Sequence, residues 1–406
     1  MSPKVSDRYR QTIRTISDRI VAAQRPIRVL NAVKWDDGIK VAFFDSNLTE
    51  QPQVDRNYYE QRTLGFDPDS ARSEFRAIEL DIGRQLGSVA PAGILMRFMC
   101  EQFRLTIDLL EARGTTRFST ISNLLYGTPH DVFHANGPTV CDLATQMRTV
   151  LEGMAVQVSG ERDERNITGR DAAAILQAQV DASMGPGIVT IRPDDGISAD
   201  AAAGSDYIKL REDTTFSQRD LDLLEAHEAW VHVGTTLNGL AQPVCTFLGK
   251  AAPRTTVTQE GLAVLSEMLN MRSHPRRLAR LMNRIEGIKA ADGGASFLEV
   301  FEFMRTSGLS QDESWTATAR IFRGSLPEAG PFTKDLGYSK GLVLTLLYVR
   351  LAIQFGKPHR IPLLFCGKID LLDMSTLRQL VEEGLIEESR FIPPPFNDLP
   401  ALASSL

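Results

Sequence analysis

The sequence predicts an α+β fold that is mostly helical, with a small antiparallel sheet beside one central helix. Three observations predict it. Apolar residues recur at spacings of three and four through most of the first 165 residues, the period of an amphipathic helix. Two short β-branched runs, 187–192 (Gly-Ile-Val-Thr-Ile-Arg) and 206–211 (Asp-Tyr-Ile-Lys-Leu-Arg), then interrupt that pattern. Helical period returns from about Ser217 to Val233, over a stretch that contains His227-Glu-Ala-Trp-Val-His232.

The elements follow in order. Ser6–Ala23 carries Tyr9, Ile13, Ile16 and Ile20 on one face. Residues 45–60 are polar and loop-like. Asp69 or Ser70 can cap a helix that ends at Gly87, and Pro91 can open the next, which Gly114 stops. Phe118–Tyr126 and Thr139–Val158 suggest two more helices, and Asp171–Ala182 another. The two strands follow, the first closed by a turn at Pro193-Asp-Asp-Gly. Thr215 or Ser217 can cap the central helix, Gly234 can end it, and 234–239 is turn-rich. A helix over Val257–Asn270, with Thr258 as cap, precedes helices at Leu278–Ile288, Ser296–Thr306 and Ser310–Ile321. The tail, with its Ile392-Pro-Pro-Pro-Phe396, is expected to lie extended on the surface. This divides the chain into a mainly helical region, 1–165, and a region 166–406 that carries the chemistry, packed together as one unit.

Composition excludes several classes. A formal net charge of −6, with no long basic tract, argues against nucleic-acid binding. Cys100, Cys141, Cys245 and Cys366 stand singly, without a Cys-x-x-Cys pair, and read as small buried apolar residues. The charged N-terminus lacks the apolar centre of a signal peptide. The best apolar runs, Ala90–Met96 and Leu342–Val349, fall short of the roughly 20 residues of a membrane span. No membrane partner and a cytoplasmic location are therefore expected.

The chemistry is concentrated in two strings. His227 and His232 offer two imidazoles, and Gln259-Glu260-Gly-Leu-Ala263 offers a carboxylate on the following helix. A catalytic zinc takes three protein ligands and keeps a fourth position for a water whose pKa it lowers. His227, His232 and Glu260 can supply the three, and Glu228, beside the first imidazole, stands where a general base is wanted. The familiar zinc motif spaces its imidazoles by four residues. Here the spacing is five, which on an ideal helix turns the side chains about 140° apart. A π-bulge or a distorted last turn would reunite them, so the helix is expected to be irregular near Trp230–His232. Glu267, seven residues beyond Glu260, shares its face; it could orient a ligating histidine or replace Glu260 as ligand, and Glu260 is preferred.

A rival pair, His130 and His134, has the regular spacing. Pro129 before it and Gly137-Pro138 after it leave room for barely two turns, and no third ligand follows nearby, so it reads as loop. His274 and His359 adjoin prolines and read as surface residues.

His227-Glu-Ala-Trp-Val-His232-Val-Gly-Thr-Thr-Leu-Asn238-Gly, then Thr258-Gln-Glu-Gly-Leu-Ala263, resembles the bacterial proteins described by a flavohemoglobin expression-modulating QEGLA motif. Arg320-Ile-Phe-Arg323-Gly and Phe332-Thr-Lys-Asp335-Leu-Gly-Tyr338 look like later motifs of that family. The animal relatives are the microtubule-associated tyrosine carboxypeptidases. The resemblance implies a zincin-like metallopeptidase fold binding one zinc per chain, with His227, His232 and Glu260 as ligands and Glu228 as base. A carboxypeptidase acting on the C-terminus of a peptide or protein, such as one ending in tyrosine or another aromatic residue, follows from it. Such an enzyme needs an oxyanion donor, for which Tyr338 is the candidate, and a cation that reads the terminal carboxylate, for which Arg320, Arg323 and Lys334 are candidates. An aminopeptidase or endopeptidase, and a regulatory or binding protein that keeps the zinc site as scaffold, are the alternatives.

Overall fold

Apolar stripes decide how the helices pack. A computed structural model describes residues 5–155, 164–197, 199–328 and 330–406. Asp7–Gln24 opens the chain, its first turn capped by Ser6, and buries Ile13, Ile16 and Ile20. Pro68–Leu86 is capped by Asp67, whose carboxylate accepts the Ser70 amide, and not by Asp69 or Ser70. Pro at the first helical position moves the cap one residue upstream of it. Pro91–Glu111 and Thr116–Tyr126 complete the expected N-terminal set, and the polar 45–60 stretch holds a short helix, Arg56–Glu60, that buries Tyr59. The helix expected over Thr139–Val158 is described as Val140–Ala155; Thr139 pairs with Val132 in an isolated bridge, and 156–158 lie outside the described residues.

Two apolar cores result. The larger gathers residues from Ile13 to Leu402. The smaller joins the helix Gly169–Met184 to the strands and to one flank of the central helix.

The strands are β1 (Ile167–Thr168), β2 (Thr190–Asp194), β3 (Ala201–Ala203), β4 (Tyr207–Arg211) and β5 (Thr215–Phe216). The sheet is not antiparallel as expected but mixed, in the order β2-β4-β3. β2 and β4, the two strands visible in the sequence, run parallel, Ile191 opposite Ile208. About a dozen residues between them allow a crossover, and within that connection β3 pairs antiparallel with β4. β1 and β5 form a separate antiparallel pair. Ile208 and Leu210 of β4 point into the smaller core.

The C-terminal half is helical again: Thr255–Leu269, Pro275–Asp292, Phe297–Thr306, Gln311–Phe322 and Leu336–Gln354. One described helical stretch, Thr333–Gln354, is long and apolar enough to cross a membrane, which the short runs counted in the sequence did not reveal. In this fold it packs on Thr255–Leu269. The contact is backbone against backbone: a Cβ on Gly261 would lie 2.1 Å from the Gly341 carbonyl carbon, and one on Gly341 would lie 1.9 Å from Val257 O. The tail is not an extended surface strand. Pro394–Asn397 makes a helical turn that buries Phe396 against Phe365, ring centroids 4.9 Å apart. All four cysteines are buried and free.

Candidate metal centre and its cleft

The central helix begins with a complete capping box between Ser217 and Asp220. It is α-helical over Gln218–Leu224, widens to a π-helix over Glu225–Val233, and resumes as α-helix over Gly234–Leu240. In turns closed by i→i+5 bonds, residues five apart share a face. His227 and His232 therefore face one another, Nε2 to Nε2 at 3.2 Å. The irregularity demanded by their spacing is present, but it spans nine residues. Gly234 does not end the helix: it has right-handed helical dihedrals and sits against Phe391, and the stretch expected to be turns is helical through Leu240. Side chains serve the carbonyls at the end of the wide turn. Thr235 Oγ1 donates to Val231 O at 2.6 Å, and Thr236 Oγ1 and Lys368 Nζ donate to His232 O at 2.8 and 2.7 Å.

Thr255–Leu269 brings the carboxylate. Thr258 lies inside this helix and does not cap it; its hydroxyl accepts the Leu371 amide at 3.0 Å. Glu260 Oε2 is 3.6 Å from His227 Nε2 and 3.5 Å from His232 Nε2. Donors about 2.0–2.1 Å from a tetrahedral zinc lie roughly 3.3 Å from one another, so this triangle has the size such an ion requires. The chemistry of the atoms agrees. Glu260 Oε2 is buried with no hydrogen-bond partner, a costly state for a carboxylate oxygen unless a cation satisfies it. Among the described residues, these three form the group that could hold a metal ion.

Glu267 lies against His227 and outside the donor triangle. Its Oε1 is 2.6 Å from His227 Nδ1, and it is 0 % exposed. A carboxylate only accepts, so the bond keeps a proton on Nδ1 and turns the Nε2 lone pair toward Glu260 and His232. Arg277 Nη2 backs Glu267 at 3.3 Å. Burial opposes a charged His227, but Glu260 and Glu267 outweigh it and raise its pKa to about 10. Against burial, Lys334 and the two histidines hold Glu260 well below the usual carboxylate range. The pocket thus attracts positive charge, whether proton or metal. Glu267→Gln is expected to weaken metal binding about 10- to 100-fold, measured by competition with a chromophoric chelator; unchanged affinity would show that the Glu267 charge does not tune His227.

The rival histidines stay apart from this group. Both are exposed; His130 is 3.7 Å from Asp292, and His134 Nδ1 contacts Ala135 O. His359 is exposed as expected. His274 is not: half-buried, it caps the helix Pro275–Asp292 and lines the cleft described next.

The cleft, about 490 Å³, is lined by His227 and Glu228. Glu228 Oε1 is 4.0 Å from His227 Nε2. Tyr338 also lines it, its ring 6.3 Å from that of His227 and nearly parallel. Burial and the Glu260 charge push its phenol pKa up, so it stays a proton donor. Arg320 reaches the cleft, but Asp335 takes two parallel bonds from it, at 2.8 and 2.9 Å. Lys334 Nζ is 3.4 Å from Glu260 Oε1, the ligand's other oxygen. Arg323 lies over the Phe332 ring and is not among the cleft's lining residues. Besides Arg211 of β4, three lining arginines of one helix were missed in the sequence: Arg277, Arg280 and Arg284. Their i, i+3, i+7 spacing on one helix was the available signal. Arg280 is paired with Glu313 at 2.5 Å, whereas Arg284 has a looser 3.6 Å contact with Asp335 and lies over the Tyr338 ring, 5.9 Å from its centroid. Burial and the neighbouring Arg320 lower the Arg284 pKa to about 10, the mark of an undercompensated cation. On the opposite side, Ala199, Asp200 and Ala201 bring the start of β3 to the same cleft.

A helical fold with two imidazoles and a carboxylate converging at the side of a cleft rich in both arginines and carboxylates defines a protein built around a candidate metal centre. The model of the family described as microtubule-associated tyrosine carboxypeptidase matches residues 41–406, and the chain belongs to that family. No curated protein matches it.

Proposed function

We propose that this chain is a zinc-dependent carboxypeptidase with a zincin-like site, releasing the C-terminal residue of a peptide or protein. The observation that carries this reading is the donor triangle of His227, His232 and Glu260, with its orphaned carboxylate oxygen facing both imidazoles. Zinc held by these three would polarise the scissile carbonyl and acidify a water. Glu228, beside the ligands and open to the cleft, accepts the proton of the attacking water and passes it to the leaving amine. Tyr338, kept protonated by burial, donates to the oxygen that gains charge. Arg284 reads the terminal carboxylate. Its counter-charge is incomplete, and a guanidinium presents paired donors to a carboxylate. Arg320, occupied by Asp335, supports that wall of the cleft.

Metal analysis of the purified chain should find about one zinc per chain. His227→Ala and Glu260→Ala should lose it, and His130→Ala should keep it. A peptide library read by mass spectrometry should show single C-terminal residues released, and the identity of those residues tests the aromatic preference. Chelator should stop the release, and amidation of the C-terminus should block it. Cleavage of amidated peptides at unchanged rate would favour an aminopeptidase or endopeptidase, and a zinc-loaded but inert protein would favour a binding role.

A further inference from the structure

We infer that Lys368 is a positioning residue, a bridge that locks the π-helix to the helix bearing Glu260 and so sets the spacing of the metal ligands. The inference rests on the metal centre proposed above. Lys368 Nζ donates to His232 O at 2.7 Å and to Gln259 Oε1 at 2.9 Å. One amino group therefore holds the backbone of one ligand and the side chain adjacent in sequence to another. Thr235 Oγ1 lies between Gln259 Oε1 at 2.9 Å and Val231 O of the π-helix at 2.6 Å, its single proton shared by the two acceptors. The bridge thus grips the wide turn at two points.

The chain is built to deliver this lysine. Its own amide donates to Leu248 O at 2.6 Å. Gly367 permits the approach, since a Cβ there would lie 2.6 Å from the same oxygen. Just beyond, Asp370 pairs with Arg254 Nε at 2.6 Å and the Leu371 amide donates to Thr258 Oγ1, so the segment is pinned along the first turns of the helix that carries Glu260. Lys368 does not line the cleft. Its contacts are with the backbone of His232 and the side chain of Gln259. A π-helix is a rare geometry, and a lysine side chain long enough to donate to His232 O and to Gln259 Oε1 together is suited to hold its end.

The test uses the full chain carrying Lys368→Met, Gln259→Met, or both. Zn²⁺ affinity is measured by chelator competition, and the visible spectrum of the Co²⁺-loaded protein reports ligand geometry. Each single variant is expected to bind Zn²⁺ about 10- to 100-fold more weakly and to show an altered Co²⁺ spectrum. The double variant should be no weaker than the weaker single, because both remove the same bridge. A lysine that served only the fold would lower the melting temperature and leave the affinity and spectrum of the folded protein unchanged. That result overturns the inference, as do additive losses in the double variant. If Lys368→Met does not fold, Gln259→Met decides by the same two measurements. A wild-type chain that binds no Zn²⁺ overturns the metal centre together with the bridge, whereas tight wild-type binding with unaffected variants overturns the bridge alone.

Discussion

Glu228→Gln is expected to lower kcat for C-terminal residue release by about 10²- to 10⁴-fold while zinc stays at one ion per chain. The amide matches the carboxylate in size and can still accept a hydrogen bond, but it cannot take up a proton at neutral pH. Glu228 is separate from the donor triangle: His227, His232 and Glu260 form that group, and Glu228 stands 4.0 Å from His227 Nε2 on the cleft side. Zinc affinity should therefore change little. KM should also change little, because the proton transfer belongs to the transition state and not to ground-state binding. Steady-state kinetics on a peptide with a free C-terminus, paired with metal analysis of the same preparation, separates the two effects. Full turnover by this variant would assign the base to another group. Loss of zinc would instead make Glu228 part of the binding set.

The largest effect on the fold is expected from Gly261→Ala. The new methyl would meet Gly341 backbone atoms at 2.1 to 2.6 Å, and backbone has no rotamer to yield. The helices Thr255–Leu269 and Leu336–Gln354 would have to separate through a core where Leu262, Ala263 and Leu336 are fully buried. Overpacking of this kind costs about 3 kcal/mol or more. For a chain of this length that corresponds to a fall in Tm of roughly 3–5 °C, read by thermal unfolding. The damage should reach the site as well. Glu260 is the preceding residue, and Lys334 and Tyr338 lie at the start of the partner helix. Gly38→Ala is the matched control: nothing lies within 4 Å of its added methyl, so Tm should hold or rise slightly. An unchanged Tm for Gly261→Ala would mean that the two helices do not touch.

Much of this was legible in the sequence, for identifiable reasons. Helices whose buried face repeats every three to four residues, such as Asp7–Gln24 and Pro91–Glu111, announce themselves by period and by their caps. The five-residue histidine spacing could be reconciled with a shared ion only through a widened turn, and the π-helix is that turn. Strand direction was not legible. Alternation reports which face is buried and says nothing of whether a neighbour runs parallel, so the β2–β4 pairing could not be seen. Gly234 misled because glycine marks helix ends and close contacts alike, and here Phe391 supplies the contact. Arg284 was hidden because a basic stripe on a helix normally faces water, and the charges that crowd it come from Arg320 and Asp335, distant in the chain. Lys368 carried no local sign at all: its partners lie 109 and 136 residues away.

The histidine-bearing turn is also shared property. Val231 belongs to the larger apolar mass, and Ala229 and Val233 belong to the smaller. Any sliding of one mass over the other is transmitted directly into the gap between two imidazoles. For an ion held there as proposed, occupancy and cohesion of the entire polypeptide would be one equilibrium. At saturation, every tenfold gain in affinity for the ion adds about 1.4 kcal/mol to the work of pulling the chain apart.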